Sequence, residues 1–383
     1  MEDEFYIDYA KLDAGQKTLV DKEIDPDRVF IDKKNLSMVV TGTAGSGKSL
    51  IAIHKAKQVA ALTDSYLVIV YTKTLKKYFK DGFAKDDETV NNNGKKYGKV
   101  NPEKVFHYAD WKKLENKSKV KYLIVDECQD FSKEEIDELI SYADICFFFG
   151  DTDQSIMGFK KQTQDVDATA HVLGFRRPTE LYKNYRLTIE NASLAEKIGK
   201  VEDVVEKCVR HGEKPELIET SSIDAQLDEI IRIKKNKTLN SVGILMPFNT
   251  KERALSAKKN GYISAAEPEK LSVEYVKDYF VSKGEPIEYK YSADMDTEMD
   301  LNFHSSNAKV MTWWCAKGLQ FKDVFIPNCQ INYGDDKRSA LYVAITRVSE
   351  NLHLLYSGNL SARFPQKGSN LYKSNNVDYS VFQ

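Results

Sequence analysis

The chain has 383 residues, of which 42% are hydrophobic and 30% charged, and a formal net charge of −2. This is the balance of an ordinary globular protein, and the length suits two or three domains with sizeable cores. No apolar run approaches membrane-spanning length, and residues 1–10 carry four acidic residues without the basic start and apolar stretch of a secretory signal, so a cytoplasmic protein with no membrane partner is expected. The five cysteines, at 128, 146, 208, 315 and 329, are odd in number and contain no C-x-x-C pair. They read as reduced packing residues, neither a disulfide frame nor a zinc site.

In chain order, residues 36–41 read as a strand and residues 49–62 as a helix. Between them, Gly42-Thr43-Ala44-Gly45-Ser46-Gly47-Lys48-Ser49 is a full match to G-x-x-x-x-G-K-S/T, in the order strand, loop, helix. Glycines at 42, 45 and 47 allow backbone amides to approach phosphates without an intervening Cβ. Lys48 is expected along the β- and γ-phosphates and the Ser49 hydroxyl on Mg²⁺, while the helix N-terminus adds favourable partial positive charge. A nucleoside triphosphate with Mg²⁺ is therefore the first ligand to expect.

The apolar run at residues 67–70 leads into Tyr71, and residues 73–121 then hold fourteen lysines against seven acidic residues. Tyr78, Phe79, Tyr97, Phe106, Tyr108 and Trp111 lie in the same stretch. Cations mixed with aromatic rings suit single-stranded nucleic acid, and a lysine-rich solvated surface explains the composition equally well. Residues 122–125 read as a buried strand ending in Asp126-Glu127-Cys128-Gln129-Asp130. Adjacent carboxylates at a strand end are costly unless paired or near a metal. Asp126 is expected to hold Mg²⁺ and Glu127 to accept a proton from the attacking water; the competing reading is an acidic start to a helix over residues 130–138. A third strand at residues 145–149 delivers Gly150-Asp151-Thr152-Asp153-Gln154, polar groups at the carboxyl end where α/β sheets place ligands. There Gln154 is placed to report on the γ-phosphate.

A second α/β pattern begins near residue 180, with strands expected at 241–246, 309–313, 323–326 and 352–356 and a helix at 251–259. The alternating Asp294, Asp296, Glu298 and Asp300 lack the glycine and terminal glutamate of a calcium loop and read as solvated.

The ordered motifs resemble those of UvrD/Rep-like superfamily 1 helicases. Leu12 to Gln16 resembles the Q-motif, residues 42–49 motif I, Tyr71-Thr72-Lys73 motif Ia, residues 126–130 motif II and residues 150–154 motif III. Asn184-Tyr185-Arg186 matches motif IV, Lys317-Gly318-Leu319-Gln320-Phe321 motif V, and Tyr342 to Arg347 motif VI. The resemblance implies an α/β fold of two RecA-like P-loop domains, each a mainly parallel sheet flanked by helices, with ATP in the interdomain cleft. Residues 1–179 would form the first, with a small basic insertion at 80–120. Residues 180–360 would form the second, with a reduced insertion at 255–308, before a C-terminal tail at 361–383.

The same resemblance assigns roles. Gln16 would read adenine and Gln320 contact a ribose hydroxyl. Arg186 and Arg347 would act as arginine fingers on the γ-phosphate, linking hydrolysis to interdomain closure. Tyr71, Thr72, Lys73, His107, Phe159, Thr312 and Trp314 would contact single-stranded DNA, with RNA left open because contacts to the 2′-hydroxyl are not readable from motifs. Family members commonly have a histidine where this chain has Trp314 and a glutamate where it has Gln320, and they carry large accessory subdomains for which this chain has little room. The implied activity is ATP-dependent translocation or unwinding with 3′ to 5′ polarity. The alternative is a nucleic-acid-sensing ATPase that gates a protein partner such as a nuclease, with antiviral defence as its setting.

Overall fold

Two sheets built mainly of parallel strands organise this computed structural model, which describes residues 5–28, 33–85, 91–92, 95–151, 162–291, 299–334 and 337–373. The chain divides into two units: residues 1–185 with Lys317–Leu319 form the first, and most of the remainder, from Arg186 onward, forms the second.

The first unit runs α1 (Ala14–Asp21), β1 (Met38–Gly42), α2 (Lys48–Leu62), β2 (Tyr66–Val70), α3 (Lys73–Lys85), the two-residue pair β3 (Asn91–Asn92) and β4 (Lys95–Lys96), β5 (Val105–His107), α4 (Tyr108–Lys112), β6 (Val120–Asp126), α5 (Lys133–Ser141), β7 (Ala143–Gly150), α6 (Val166–Val172) and β8 (Thr179–Leu181). Its six-stranded sheet has the order β5-β2-β6-β7-β1-β8, parallel at every pairing. The near-continuous apolar runs of β6 and β7 follow from burial on both faces. Residues such as Val40, Ile124 and Phe147 enter one core, whereas Val125, Cys146 and Phe148 enter the other. Because all strands point the same way, the loops that carry the phosphate-binding motif, the acidic pair and Asp151 leave the sheet at one edge. The expected helix at 130–138 instead begins at Lys133, where Ser132 and Glu135 close a capping box.

Helix α2 is buried on nearly all sides, including its polar residues His54, Lys55, Lys57 and Gln58. Each finds a partner, as buried polar groups must. Lys55 donates to the carbonyls of Val20 and Lys22, both at 2.9 Å, and Lys57 lies 4.2 Å from the centre of the Tyr6 ring. His54 sits between the Tyr97 hydroxyl at 2.9 Å and the Ile7 carbonyl at 3.0 Å. Burial lowers its pKa to about 4, so the ring is neutral at physiological pH.

Gly98 holds the segment bearing Tyr97 against α2, donating to the Lys57 carbonyl at 2.8 Å. A Cβ there would lie 2.6 Å from the Ala61 amide and 2.7 Å from the Ala60 carbonyl carbon, backbone atoms with no rotamer to yield. Gly98→Ala is expected to lower unfolding free energy by about 1–3 kcal/mol, the usual range for overpacking, read as a reduced midpoint in chemical denaturation. An unchanged midpoint would mean that the segment is only loosely packed.

The second unit runs α7 (Ile189–Gly199), α8 (Val204–Lys207), β9 (Glu216–Thr220), α9 (Ile223–Asn236), β10 (Val242–Met246), α10 (Lys251–Lys259), α11 (Val273–Ser282), β11 (Ile287–Lys290), β12 (Met299–Asp300), β13 (Ala308–Thr312), β14 (Phe321–Ile326), α12 (Arg338–Ile345) and β15 (Val348–Ser357). The sheet order is β12-β11-β13-β10-β14-β15-β9, with only the β11–β12 pairing antiparallel. The stretch between β10 and motif V, expected as loops or small helices, contributes α11 and β11 to this architecture; β11 pairs parallel with β13. Pairing of β14 with β15 shifts register between Phe321 and Asp323, since Phe321 faces Val348 but Asp323 faces Asn351. The extra residue makes a bulge in β15 at Ser349 and Glu350. All five cysteines are buried and free, as their spacing suggested. Among the described residues no helix is long and apolar enough to cross a membrane.

Candidate active site

The loop of residues 42–49 joins β1 to α2 as its sequence requires. Gly45 and Gly47 take left-handed conformations, with φ of 86° and 94°. Gly47 is the N-cap of α2 and makes no side-chain cap bond, leaving the first amides of the helix for an anion. A Cβ on Gly47 would lie 2.5 Å from Gln16 Nε2. Gln16 is buried against the loop: its Nε2 donates to the Ser46 carbonyl at 3.1 Å, while its Oε1 accepts from the Asp13 amide at 3.1 Å within the capping box of α1.

Lys48 is almost fully buried. Its Nζ donates to the carbonyls of Gly42 at 2.5 Å and Thr43 at 2.9 Å and stands 3.7 Å from Asp151 Oδ2. Thr43 Oγ1, Ser46 Oγ and Asp126 Oδ2 are buried with no hydrogen-bond partner among the described residues. These are the groups a phosphate and its cation would satisfy, so the residues fit a nucleoside triphosphate with Mg²⁺. Ser49 and Asp126 would hold the cation. The described residues contain no cluster of three or more His, Cys, Asp or Glu suited to a metal.

At the end of β6 the two carboxylates have distinct settings. Asp126 is buried, and desolvation followed by the neighbouring Glu127 charge raises its pKa, opposed by the Ser49 hydroxyl and Lys48. Glu127 adopts φ 59°, ψ 43°, a left-handed conformation rare for a residue with a side chain and typical of functional turns. Its Oε2 accepts from Gln129 Nε2 at 2.6 Å, and Gln129 Oε1 accepts from the Asp151 amide at 2.9 Å. Lys317, which groups with the first unit, is fully buried, with Nζ 2.5 Å from Asp130 Oδ2 and 3.7 Å from Glu127 Oε2. Gln129, Asp130, Asp151 and Lys317 were not among the expected site residues. The available signal was the density of polar residues at buried strand ends.

The residues expected to meet nucleic acid on this unit gather at the ends of β2 and β5. Thr72 Oγ1 caps α3 by accepting from the Leu75 amide at 3.1 Å. Lys73 lies 3.6 Å and Lys76 2.8 Å from Asp110, and His107 stands 3.9 Å from the same carboxylate. Burial pushes the Asp110 pKa up, but Lys76, His107 and Lys73 hold it below the usual value. Tyr71 packs edge-on against Phe131 at 5.1 Å, and is half-buried at the edge of the core. Within the lysine-rich stretch, several rings and cations are engaged in the fold. Phe79, Tyr97, Tyr108 and Trp111 are buried, while Lys77, Lys80, Lys117 and Lys119 pair with Asp81, Glu103, Glu138 and Asp144. Gln154 and Phe159 lie outside the described residues.

In the second unit, Arg186 Nε donates to Gln320 Oε1 at 3.1 Å and its Nη1 to the Thr346 carbonyl at 3.4 Å. Gln320 is therefore placed on Arg186. Arg347 is buried, with Nε donating to the Val343 carbonyl at 2.8 Å and Nη2 to Thr346 Oγ1 at 3.0 Å. Both arginines thus converge on Thr346. At the end of β13, Thr312 Oγ1 accepts from the Cys315 amide at 3.2 Å. Trp313 is buried and anchored by Nε1 to the Leu245 carbonyl at 3.2 Å, and the half-buried Trp314 stacks on it with centroids 6.1 Å apart.

The chain thus has two α/β units with mainly parallel sheets, one of which bears a loop of phosphate-binding sequence and an acidic strand end. The family model described as an AAA domain matches residues 28–160. No curated protein matches it significantly. Among solved structures, the C-terminal domain of a possible DNA helicase from Lactobacillus plantarum WCFS1 is similar at 19% identity and a TM-score of 0.34, over 49% of this chain and 96% of that one. Arterivirus nonstructural protein 10, a helicase solved with DNA, is similar at 14% identity and a TM-score of 0.40 over 88% of this chain. The PRRSV helicase shows 12% identity and a TM-score of 0.41 over 87% of this chain. This chain spans 63% and 56% of those two viral proteins. At such TM-scores the likenesses are distant, and the fold is defined by the strand order and loop geometry themselves.

Proposed function

We propose that the chain is a Mg²⁺- and ATP-dependent translocase or helicase acting on single-stranded nucleic acid, with 3′ to 5′ polarity. The observation that carries this reading is the joint setting of Lys48, Asp126 and Glu127 around unsatisfied polar atoms of a phosphate-binding loop. The amides of the loop and of the α2 N-terminus bind the phosphates, and Lys48 exchanges its loop carbonyls for phosphate oxygens. Ser49 and Asp126 would hold Mg²⁺, which when bound would neutralise phosphate charge. Glu127 orients the attacking water and takes its proton, held in place by Gln129 and Lys317. Arg186 and Arg347 are assigned to the charge that develops on the transferring group. Tyr71, Lys73, His107, Thr312 and Trp314 are assigned to the strand, with Trp314 as a stacking surface whose neighbour Trp313 holds it rigid.

The test is ATP hydrolysis with no polymer, single-stranded DNA, single-stranded RNA or duplex, with Lys48→Ala as the inactive control. Turnover is expected to rise at least about tenfold with a single strand, as coupling of roughly 1–3 kcal/mol between two sites allows. Displacement of a strand from a 3′-tailed duplex then distinguishes unwinding from translocation alone. Turnover that ignores every polymer would overturn the proposal and favour an ATPase that gates a protein partner.

A further inference from the structure

We propose that Arg210 is a positioning residue that holds the segments bearing Arg186 and Arg347 in one fixed arrangement. The inference rests on the functional reading above, in which both arginines serve the transferring phosphoryl group. Arg210 follows α8 in a loop pinned to the start of α7. Its carbonyl accepts from the Ile189 amide at 3.0 Å. The Glu190 carboxylate accepts from the Gly212 amide at 2.8 Å and faces His211 Nδ1 at 2.8 Å. A Cβ on Gly212 would lie 2.4 Å from Thr188 Cγ2, so the loop is packed directly onto the N-cap of α7.

From this anchored base, Arg210 Nη2 donates to two carbonyls distant in sequence. One belongs to Arg186 itself, at 2.5 Å; the other belongs to Ser349, two residues beyond Arg347. The second contact follows from the bulge in β15. Where the register with β14 shifts, carbonyls on the bulged strand leave the ladder and need other donors. Arg210 takes that of Ser349, and the buried Asn191 of α7 takes that of Glu350 through Nδ2 at 3.0 Å. One cation therefore fixes the backbone of both arginine-bearing segments, while Thr346 joins their side chains from the other side. Charge-assisted bonds to carbonyl oxygens suit this task because a guanidinium presents several donors in a rigid plane.

The experiment compares kcat and KM for ATP at saturating single-stranded DNA in the wild type, Arg210→Ala, Arg347→Ala and the double variant, with thermal melts of each. Arg210→Ala is expected to lower kcat about 10–100-fold, the scale of a small misplacement of catalytic groups, with KM changed less than about threefold. In the Arg347→Ala background the same change should cost a smaller factor than in the wild type, since one of the two arginines that it positions is already gone and residues that act through one another are not additive. If Arg210→Ala does not fold, Arg210→Met is read the same way, because it fills much of the same space and carries no donor for the two carbonyls. An unchanged kcat, or a full loss in the Arg347→Ala background, overturns the inference. A wild-type rate insensitive to both Arg186→Ala and Arg347→Ala would instead overturn the functional reading on which it rests.

Discussion

Replacing Glu127 with glutamine is expected to cut ATP turnover by about 10²–10⁴-fold, the usual contribution of a positioned general base, while leaving ATP affinity within about threefold. Glutamine keeps the shape of the side chain and an oxygen to accept from Gln129 Nε2, so the strand end need not rearrange. What is lost is the proton affinity of the carboxylate, which the proposed role of base requires. The neighbouring carboxylate cannot substitute, because Asp126 is assigned to the cation. Steady-state hydrolysis paired with equilibrium binding of a fluorescent ATP analogue checks both halves of the expectation. A variant that keeps more than half of the wild-type rate would remove Glu127 from the role of base.

Arg347→Ala is expected to reduce kcat by about 10³–10⁵-fold, the range for arginine fingers. Its burial raises a competing explanation, since the guanidinium also donates to the Val343 carbonyl and to Thr346 Oγ1 and its removal leaves those groups with fewer partners. Two measurements separate the roles. A structural defect lowers the thermal midpoint and weakens ATP and DNA binding together, whereas loss of a finger leaves both and depresses only the chemical step. Arg347→Lys should remain severely impaired, because the charge persists but the planar fork does not. Near-normal turnover in the alanine variant would assign Arg347 to folding alone.

Local features of this protein were legible in its sequence because their causes are local. The phosphate-binding loop needs left-handed glycines within a few residues of one another, and β1 and α2 begin and end within two residues of their expected bounds. The expected helix at residues 251–259 is reproduced as α10, where Thr250 supplies the N-cap. Strands β6 and β7 announced themselves as apolar runs too short for helices. Hidden from such reading was everything decided by contacts across long stretches of chain. Lys317 and Asp130 are 187 residues apart, and nothing near either one declares the pair. The rings of the lysine-rich stretch could serve a core or a ligand equally, since hydrophobic periodicity reports that a face is apolar and not what covers it. Arg210 escaped notice for a similar reason: its partners are backbone carbonyls, which carry no sequence identity at all.

The double engagement of Gln16 bears on nucleobase selectivity. Its amide oxygen closes the start of one helix and its nitrogen grips the phosphate loop at Ser46. A purine that approached this side chain would therefore trade contacts instead of adding them, so that Gln16 alone would contribute little net preference for one base over another.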